Sequence, residues 1–262
     1  QQRGAKVVSS PREMALINPN AVIISVSDEN ALEEVLYGEQ GLVRALRVGT
    51  LVIDTSTVSS ETACRAALVI ENQHSWFLDA PVTGGVTGAL EGKLVSLVGG
   101  SQSTLNIARP YLETYSSRIE YCGPHSAGQR MKALNQILVA LTTLATAETL
   151  RAAQILGMQT DAVLKILGQG YGRSHIFSEL GERIVRGDLT SGFRADLLHK
   201  DLCIVADELS RTRNKQGKGS GLRGVNLVLE LLEHLSYLDI GSTPATQALV
   251  ETCATQFTPD PS

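Results

Sequence analysis

The sequence predicts an α/β domain with a parallel sheet, followed by an all-α domain. Short apolar runs alternate with helical patterns through about residue 122, as expected where strands are buried on both faces of a sheet. Beyond that point only helical patterns follow, beginning with a long stretch rich in Ala, Leu and Thr from about residue 126 to residue 155. We therefore expect two domains, residues 1–122 and residues 123–262, with the long helix at their junction.

The first domain is expected to alternate four helices with five strands. Ser10, Pro11 and Glu13 form a helix start, because Ser is a preferred N-cap and Pro favours the first helical position. Ser59 and Ser60 are both suitable caps for a later helix, and the choice between them stays open. The expected helices span about 11–18, 29–36, 60–70 and 101–111, and the expected strands span about 21–26, 51–54, 76–80, 94–98 and 119–122.

The second domain is expected to contain helices only, at about 126–155, 161–167, 179–186, 197–211, 225–238 and 244–254. A basic, Gly-rich segment, residues 211–224, interrupts this pattern. It lacks the glycine spacing of a Walker A phosphate loop, so we interpret it as an exposed flexible loop, or even as an insertion foreign to the fold. An anion-binding loop is the alternative.

Composition argues against several function classes. The chain has 262 residues, of which 43% are apolar and 19% charged, and its net charge of −4 favours no nucleic-acid partner. Polar residues interrupt the apolar runs before they could span a bilayer, so no membrane association is expected. No C-x-x-C or H-x-x-x-H pair occurs, so no metal site is expected. Four scattered cysteines fit a reducing compartment, and we expect a cytoplasmic protein, with the mitochondrial matrix as the alternative.

A glycine-rich turn follows a strand end in the segment Asp79–Gly85. Open α/β sheets bind ligands beyond the carboxyl ends of their strands. The hydroxyl of Thr83 and the unobstructed N–H groups of Gly84 and Gly85 suit a carboxylate. A plain tight turn is the alternative interpretation.

Lys132 is the candidate for proton transfer. It follows a second Gly-rich turn and lies in the first turns of the long helix, with Asn135 and Gln136 three and four residues later on the same face. A lysine can act as a general acid and base when it is shielded from water and hydrogen-bonded by neighbouring side-chain amides. A surface lysine on an amphipathic helix is the alternative.

Three further groups are candidates for contact with a ligand. Ser25 and Val26 end one expected strand, and Thr57 follows another. Each strand end could lie against a cofactor or form an ordinary loop whose polar groups are satisfied locally. Lys200 and Asp201 stand near the start of a helix, where such a pair is usually solvated.

Taken in order, these motifs resemble the β-hydroxyacid dehydrogenase family, which includes 3-hydroxyisobutyrate, L-threonate and 6-phosphogluconate dehydrogenases and tartronate semialdehyde reductase. The resemblance extends from about residue 5 to the C-terminus. It implies a Rossmann-like domain followed by a helical domain, and the reversible NAD(P)-linked oxidation of a short 2- or 3-hydroxy acid of the hydroxyisobutyrate, glycerate or threonate type. The landmarks are residues 54–57, 79–85, 92, 99–100, 123–136, 172–174 and 193–202.

The resemblance also implies roles for the candidate residues. Lys132 would be the catalytic acid and base, and a homodimer would form through the second domain. Either Asn135 or Gln136 would supply the active-site amide. The substrate-binding residues would be Thr83, Gly84, Gly85, Asn135 and Gln136. The residues near NAD or NADP would be Ser25, Val26, Thr57, Lys200 and Asp201.

One departure from the family is large. The first half of the chain has no strand followed by a G-x-G-x-x-G turn and a helix, the unit that binds the cofactor pyrophosphate. We expect that one or two βα units are missing, that the sheet is truncated on its N-terminal side, and that the sequence does not discriminate NAD from NADP. A cofactor-deficient homologue serving as a binding or scaffold module is therefore the alternative function. A related imine reductase is disfavoured because Lys132 is present.

Overall fold

The computed structural model describes residues 4–188, 192–213, 222–236 and 249. It divides the chain into two units, residues 1–132 and residues 133–262, whose boundary lies inside one long helix. The predicted class, an α/β region followed by an all-α region, is confirmed. Within the described residues no strand follows Gly123.

The first unit contains the sheet and the helices that cover it. Its strands are β1 (Ala21–Ile24), β2 (Leu51–Asp54), β3 (Trp76–Asp79), β4 (Val82–Thr83), β5 (Leu94–Gly99) and β6 (Ser116–Gly123). Its helices are α1 (Pro11–Leu16), α2 (Glu29–Tyr37), α3 (Ser60–Glu71), α4 (Gly85–Leu90) and α5 (Gln102–Leu112), with a 3-10 helix at Leu42–Ala45. The sequence did not predict β4, α4 or the 3-10 helix.

The sheet is mixed rather than wholly parallel. Its strand order is β1-β2-β3-β5-β4, and β6 pairs with β5. The pairs β1–β2, β2–β3 and β5–β6 are parallel, whereas β5 runs antiparallel to both β3 and β4. The expectation of a parallel sheet is therefore wrong at β5. The chain continues from β3 into β4 and reverses through the short helix α4, a connection too short for a parallel crossover.

Local caps and alternating burial explain why these elements form. The Ser10 hydroxyl accepts from the Glu13 amide at the start of α1, and the Ser59 hydroxyl accepts from the Thr62 amide at the start of α3. Ser59, not Ser60, is therefore the cap of α3. Along β2 the side chains alternate between two apolar clusters on opposite faces of the sheet, so both faces need a covering helix layer.

The second unit is helical in its described part. The helices are α6 (Ala127–Ile155), which begins in the first unit, α7 (Thr160–Leu167), α8 (His175–Val185), α9 (Ala195–Arg213) and α10 (Arg223–Ser236). Its core joins Leu144 of α6, Leu202 of α9 and Val228 of α10. Apart from Leu249, the predicted helix at 244–254 lies outside the described residues, as does the middle of the 211–224 segment. Helices α9 and α10 extend into that segment from both sides.

Helix α6 is long and apolar enough, by length and composition alone, to cross a membrane. Core helices of globular proteins commonly meet the same criteria. Here Ala140, Leu144 and Ala147 of α6 belong to the apolar core of the second unit.

Candidate active site

Several hydrogen bonds of ordinary length join the carboxyl ends of β1 and β2. The Thr55 amide and hydroxyl both donate to the Ile24 carbonyl, at 2.8 and 2.9 Å. The Val26 amide donates to the Ser56 hydroxyl at 3.0 Å, and the Ser56 amide donates to the Asp54 carboxylate at 3.0 Å. These bonds give residues 54–58, which we call the strand-end loop, a defined position beside the end of β1.

The structure therefore brings together three residues that the sequence predicted near a cofactor. Ser25 is exposed, and Val26 and Thr57 are half-buried. They lie at the adjacent ends of two parallel strands, where open α/β sheets bind ligands. Ser25 and Thr57 carry hydroxyl groups at this edge, and hydroxyl groups can hydrogen-bond to the ribose and phosphate oxygens of a dinucleotide, so these residues fit the expected cofactor.

Asp79, at the end of β3, anchors the start of α6. Its carboxylate is fully buried and accepts hydrogen bonds from the Ser126 amide at 2.8 Å and the Gln129 amide at 3.1 Å. Burial raises the pKa of Asp79 to about 6, although the two backbone N–H groups act in the opposite direction. A Cβ atom on Gly99 or Gly128 would lie within 3 Å of this carboxylate, so both positions need glycine.

Lys132 lies one turn after Gln129 on α6 and is 8% exposed. This burial argues against the alternative of a solvated lysine on a helix surface. The preceding residues Arg130 and Met131 are exposed, so Lys132 lies on the covered face of its turn.

The turn at Thr83–Gly85 has open backbone at Gly85 but not at Gly84, where a Cβ would lie 3.2 Å from the Leu94 side chain. Thr83 is half-buried in β4 and pairs with Val95 of β5. Gly84 and Gly85 have φ angles of 129° and 65°, values that favour glycine. A Cβ on Gly85 would meet nothing within 4 Å, so the backbone there is accessible.

In the second unit, four predicted residues form one polar chain. Gln136 is 2% exposed, and its Nε2 donates to Asp201 Oδ2 at 2.7 Å. Its Oε1 accepts from Asn135 Nδ2 at 2.9 Å. Lys200 Nζ lies 3.1 Å from Asp201 Oδ1, and Asp201 is only 3% exposed. Lys200 and Asp201 are therefore not an ordinary solvated pair.

No group of three His, Cys, Asp or Glu residues in the described part of the chain is placed to hold a metal ion. Gln129, which is not among the residues predicted from the sequence, hydrogen-bonds through its side chain to the strand-end loop. Its position one turn before Lys132 was the only available signal.

Comparison with known proteins decides the family. Residues 1–123 match the model of the NAD binding domain of 6-phosphogluconate dehydrogenase. Residues 126–233 match the model of the NAD-binding region of NADP-dependent 3-hydroxyisobutyrate dehydrogenase. The 2-hydroxy-3-oxopropionate reductase of Escherichia coli (strain K12) is 32% identical over 251 residues, which are 96% of this chain and 77% of the relative. The chain belongs to the β-hydroxyacid dehydrogenase family.

Two further relatives agree with this assignment. The mitochondrial 3-hydroxyisobutyrate dehydrogenase of Mus musculus is 31% identical over 221 residues, which are 81% of this chain and 65% of the relative. The crystal structure of a 3-hydroxyisobutyrate dehydrogenase from Salmonella typhimurium has a TM-score of 0.82 at 26% identity and covers 92% of this chain and 82% of its own. As a β-hydroxyacid dehydrogenase, the chain is an NAD(P)-dependent oxidoreductase, as the sequence predicted.

Proposed function

We propose that this β-hydroxyacid dehydrogenase catalyses the reversible oxidation of a short 2- or 3-hydroxy acid, with Lys132 as the proton-transfer group. The burial of Lys132, on a helix turn that the Asp79 carboxylate anchors, is the observation that carries this proposal. The names of its relatives, a 2-hydroxy-3-oxopropionate reductase and 3-hydroxyisobutyrate dehydrogenases, support the substrate class.

The substrate carboxylate would be bound by the turn after β3. The Thr83 hydroxyl would donate a hydrogen bond to it, and the accessible backbone at Gly85 would allow an anion to approach the N–H group there closely. Gln136 would supply the active-site amide, because it is four residues after Lys132 and is also buried. Asn135 and Asp201 fix the orientation of the Gln136 amide.

In the first unit, Ser25, Val26 and Thr57 are the proposed contacts with the cofactor. In the second unit, Asp201 fixes the Lys200 ammonium group, which is the candidate there for a contact with NAD(P). Bound NAD(P) supplies the hydride acceptor in oxidation and the hydride donor in reduction. In oxidation Lys132 Nζ takes the proton from the substrate hydroxyl oxygen, and in reduction it returns that proton to the carbonyl oxygen.

A steady-state screen tests the proposal with hydroxyisobutyrate, glycerate, threonate and 4-hydroxybutyrate, each with NAD and with NADP. We expect turnover with at least one pair, and a loss of kcat of roughly 1,000-fold or more in Lys132→Ala, since a general acid–base group typically contributes a factor of about 100 to 10,000. Lys165→Ala is the control, because Lys165 is an exposed lysine on α7. A folded wild-type protein with no turnover on any pair would favour the binding or scaffold alternative.

We also propose that the protein forms a homodimer through its helical region. Leu134 and Leu138 lie four residues apart on one face of α6 and are 56% and 68% exposed. Exposed apolar residues at helical spacing are typical of a helix that packs against a second copy. Analytical ultracentrifugation tests this, since Leu138→Glu should shift a dimer towards monomer, and a monomeric wild-type protein would contradict it.

A further inference from the structure

The side chain of Gln129 joins helix α6 to the strand-end loop. The Gln129 residue is 3% exposed. Its Nε2 donates to the Ser56 carbonyl at 2.9 Å, and its Oε1 accepts from the Val58 amide at 3.2 Å. Both hydrogen-bonding functions of the carboxamide are therefore bound to main-chain atoms of one loop. We call this pair of hydrogen bonds the Gln129 clamp.

The clamp encloses a single residue. Thr57 lies between Ser56 and Val58, so its backbone is fixed at both neighbouring peptide groups. The Ser56 hydroxyl also accepts from the Val26 amide, which ties the same loop to the end of β1. Thr57 thus takes its position from the clamp on one side and from β1 on the other.

The backbone of Gln129 on helix α6 is also fixed. Its backbone N–H donates to the buried Asp79 carboxylate, which ties this helix turn to the end of β3. Lys132 follows three residues later, which in an α-helix lies on the same side of the next turn. One side chain therefore links the loop that carries Thr57 to the helix turn that carries Lys132.

We propose that Gln129 is a positioning residue: it holds Thr57 in its cofactor-binding position and fixes the distance from Thr57 to the helix turn that carries Lys132. This proposal rests on the proposed function. An apolar side chain of the same size would fill the space equally well. It would leave the Ser56 carbonyl and the Val58 amide buried without a partner, and the loop would move to satisfy them. Thr57 would move with the loop.

The test compares Gln129→Met with Gln154→Met, the same substitution at an exposed position of the same helix. We expect Gln129→Met to raise the KM for the cofactor about tenfold, equivalent to about 1.4 kcal/mol, with kcat within about twofold of the wild type. Gln154→Met should match the wild type. A residue that only stabilises the fold would instead lower kcat through the folded fraction and leave the KM unchanged, and this result would overturn the proposal.

A double-mutant cycle with Thr57→Ala shows whether Gln129 acts through Thr57. In the Thr57→Ala background, Gln129→Met should raise the cofactor KM by less than about threefold. Fully additive effects would overturn the proposed route through Thr57.

Direct titration of the cofactor separates the failure of this inference from failure of the proposed function. If no hydroxy acid is turned over but NADH or NADPH binds, isothermal titration should still show a dissociation constant about tenfold higher for Gln129→Met. Equal constants would overturn the positioning role alone. A wild-type protein that binds neither cofactor would overturn both proposals.

Discussion

The buried carboxylate of Asp79 makes the stability of the first unit depend on pH in an unusual direction. Most carboxylates in folded proteins have lowered pKa values and lose their stabilising effect in acid. Burial raises the pKa of Asp79 from its ordinary value of 3.8 to about 6, so the folded chain binds this proton more tightly than the unfolded chain. Its contribution to stability is therefore complete below pH 3.8 and is lost as the pH rises to about 6.

The size of the effect follows from the two pKa values. At about 1.4 kcal/mol per pKa unit, a rise from 3.8 to about 6 corresponds to about 3 kcal/mol. The comparison variant is Asp79→Asn, which does not titrate. We expect the free energy of unfolding of the wild type, relative to this variant, to rise by about 2.4 kcal/mol between pH 7 and pH 4, because the rest of the full effect appears only below pH 4.

Urea unfolding followed by tryptophan fluorescence is the appropriate assay. Trp76 is the only tryptophan in the chain and lies on β3 with Asp79, so its emission reports on the first unit. Asp161→Asn is the control, because Asp161 is exposed on α7. A difference between wild type and Asp79→Asn that stays constant across this pH range would refute the reasoning.

Three further substitutions test other parts of the structure. Gly128→Ala should cost about 3 kcal/mol, measured as a lower urea midpoint, because the added Cβ would lie 2.3 Å from the Leu97 backbone carbonyl oxygen of β5. Ser126→Gly should stabilise the fold by about 1 kcal/mol in the same assay, since Ser126 has a φ of 72° and a buried hydroxyl with no hydrogen-bond partner in the described chain; a lower midpoint would contradict this. Asp201→Ala should raise the cofactor KM about as much as Lys200→Ala, and the two effects should not add, because one ion pair is lost in each case; additive effects would show that the residues act separately.

Local signals explain what the sequence predicted well. The caps Ser10, Ser59 and Ser101 each accept from an amide three residues later, so a few adjacent residues specify where those helices begin. The strands that the sequence predicted in the first unit were located to within a few residues because each is a short apolar run. The helix α4 was missed, because it is six residues long and contains two glycines, which disfavour helix by propensity.

Contacts between distant residues explain what the sequence did not predict. Gln129 and Val58 are 71 residues apart, and Asp79 and Gln129 are 50 residues apart. Nothing in the local composition of either segment indicates such a pairing. The antiparallel direction of β5 is a similar case, since it depends on how Pro81 to Lys93 reverses the chain and not on the apolar pattern of the strand itself.

The close approach of Gly99 and Gly128 to the Asp79 carboxylate has a consequence for how this protein can evolve. The three atoms nearest to a Cβ on Gly99 all belong to the Asp79 side chain, whereas the atom nearest to a Cβ on Gly128 is the Leu97 carbonyl oxygen. Alanine at position 99 should therefore be viable in lineages where residue 79 has become smaller, so these two positions should change together. Position 128 has no such compensating partner and should remain glycine whatever happens at position 79.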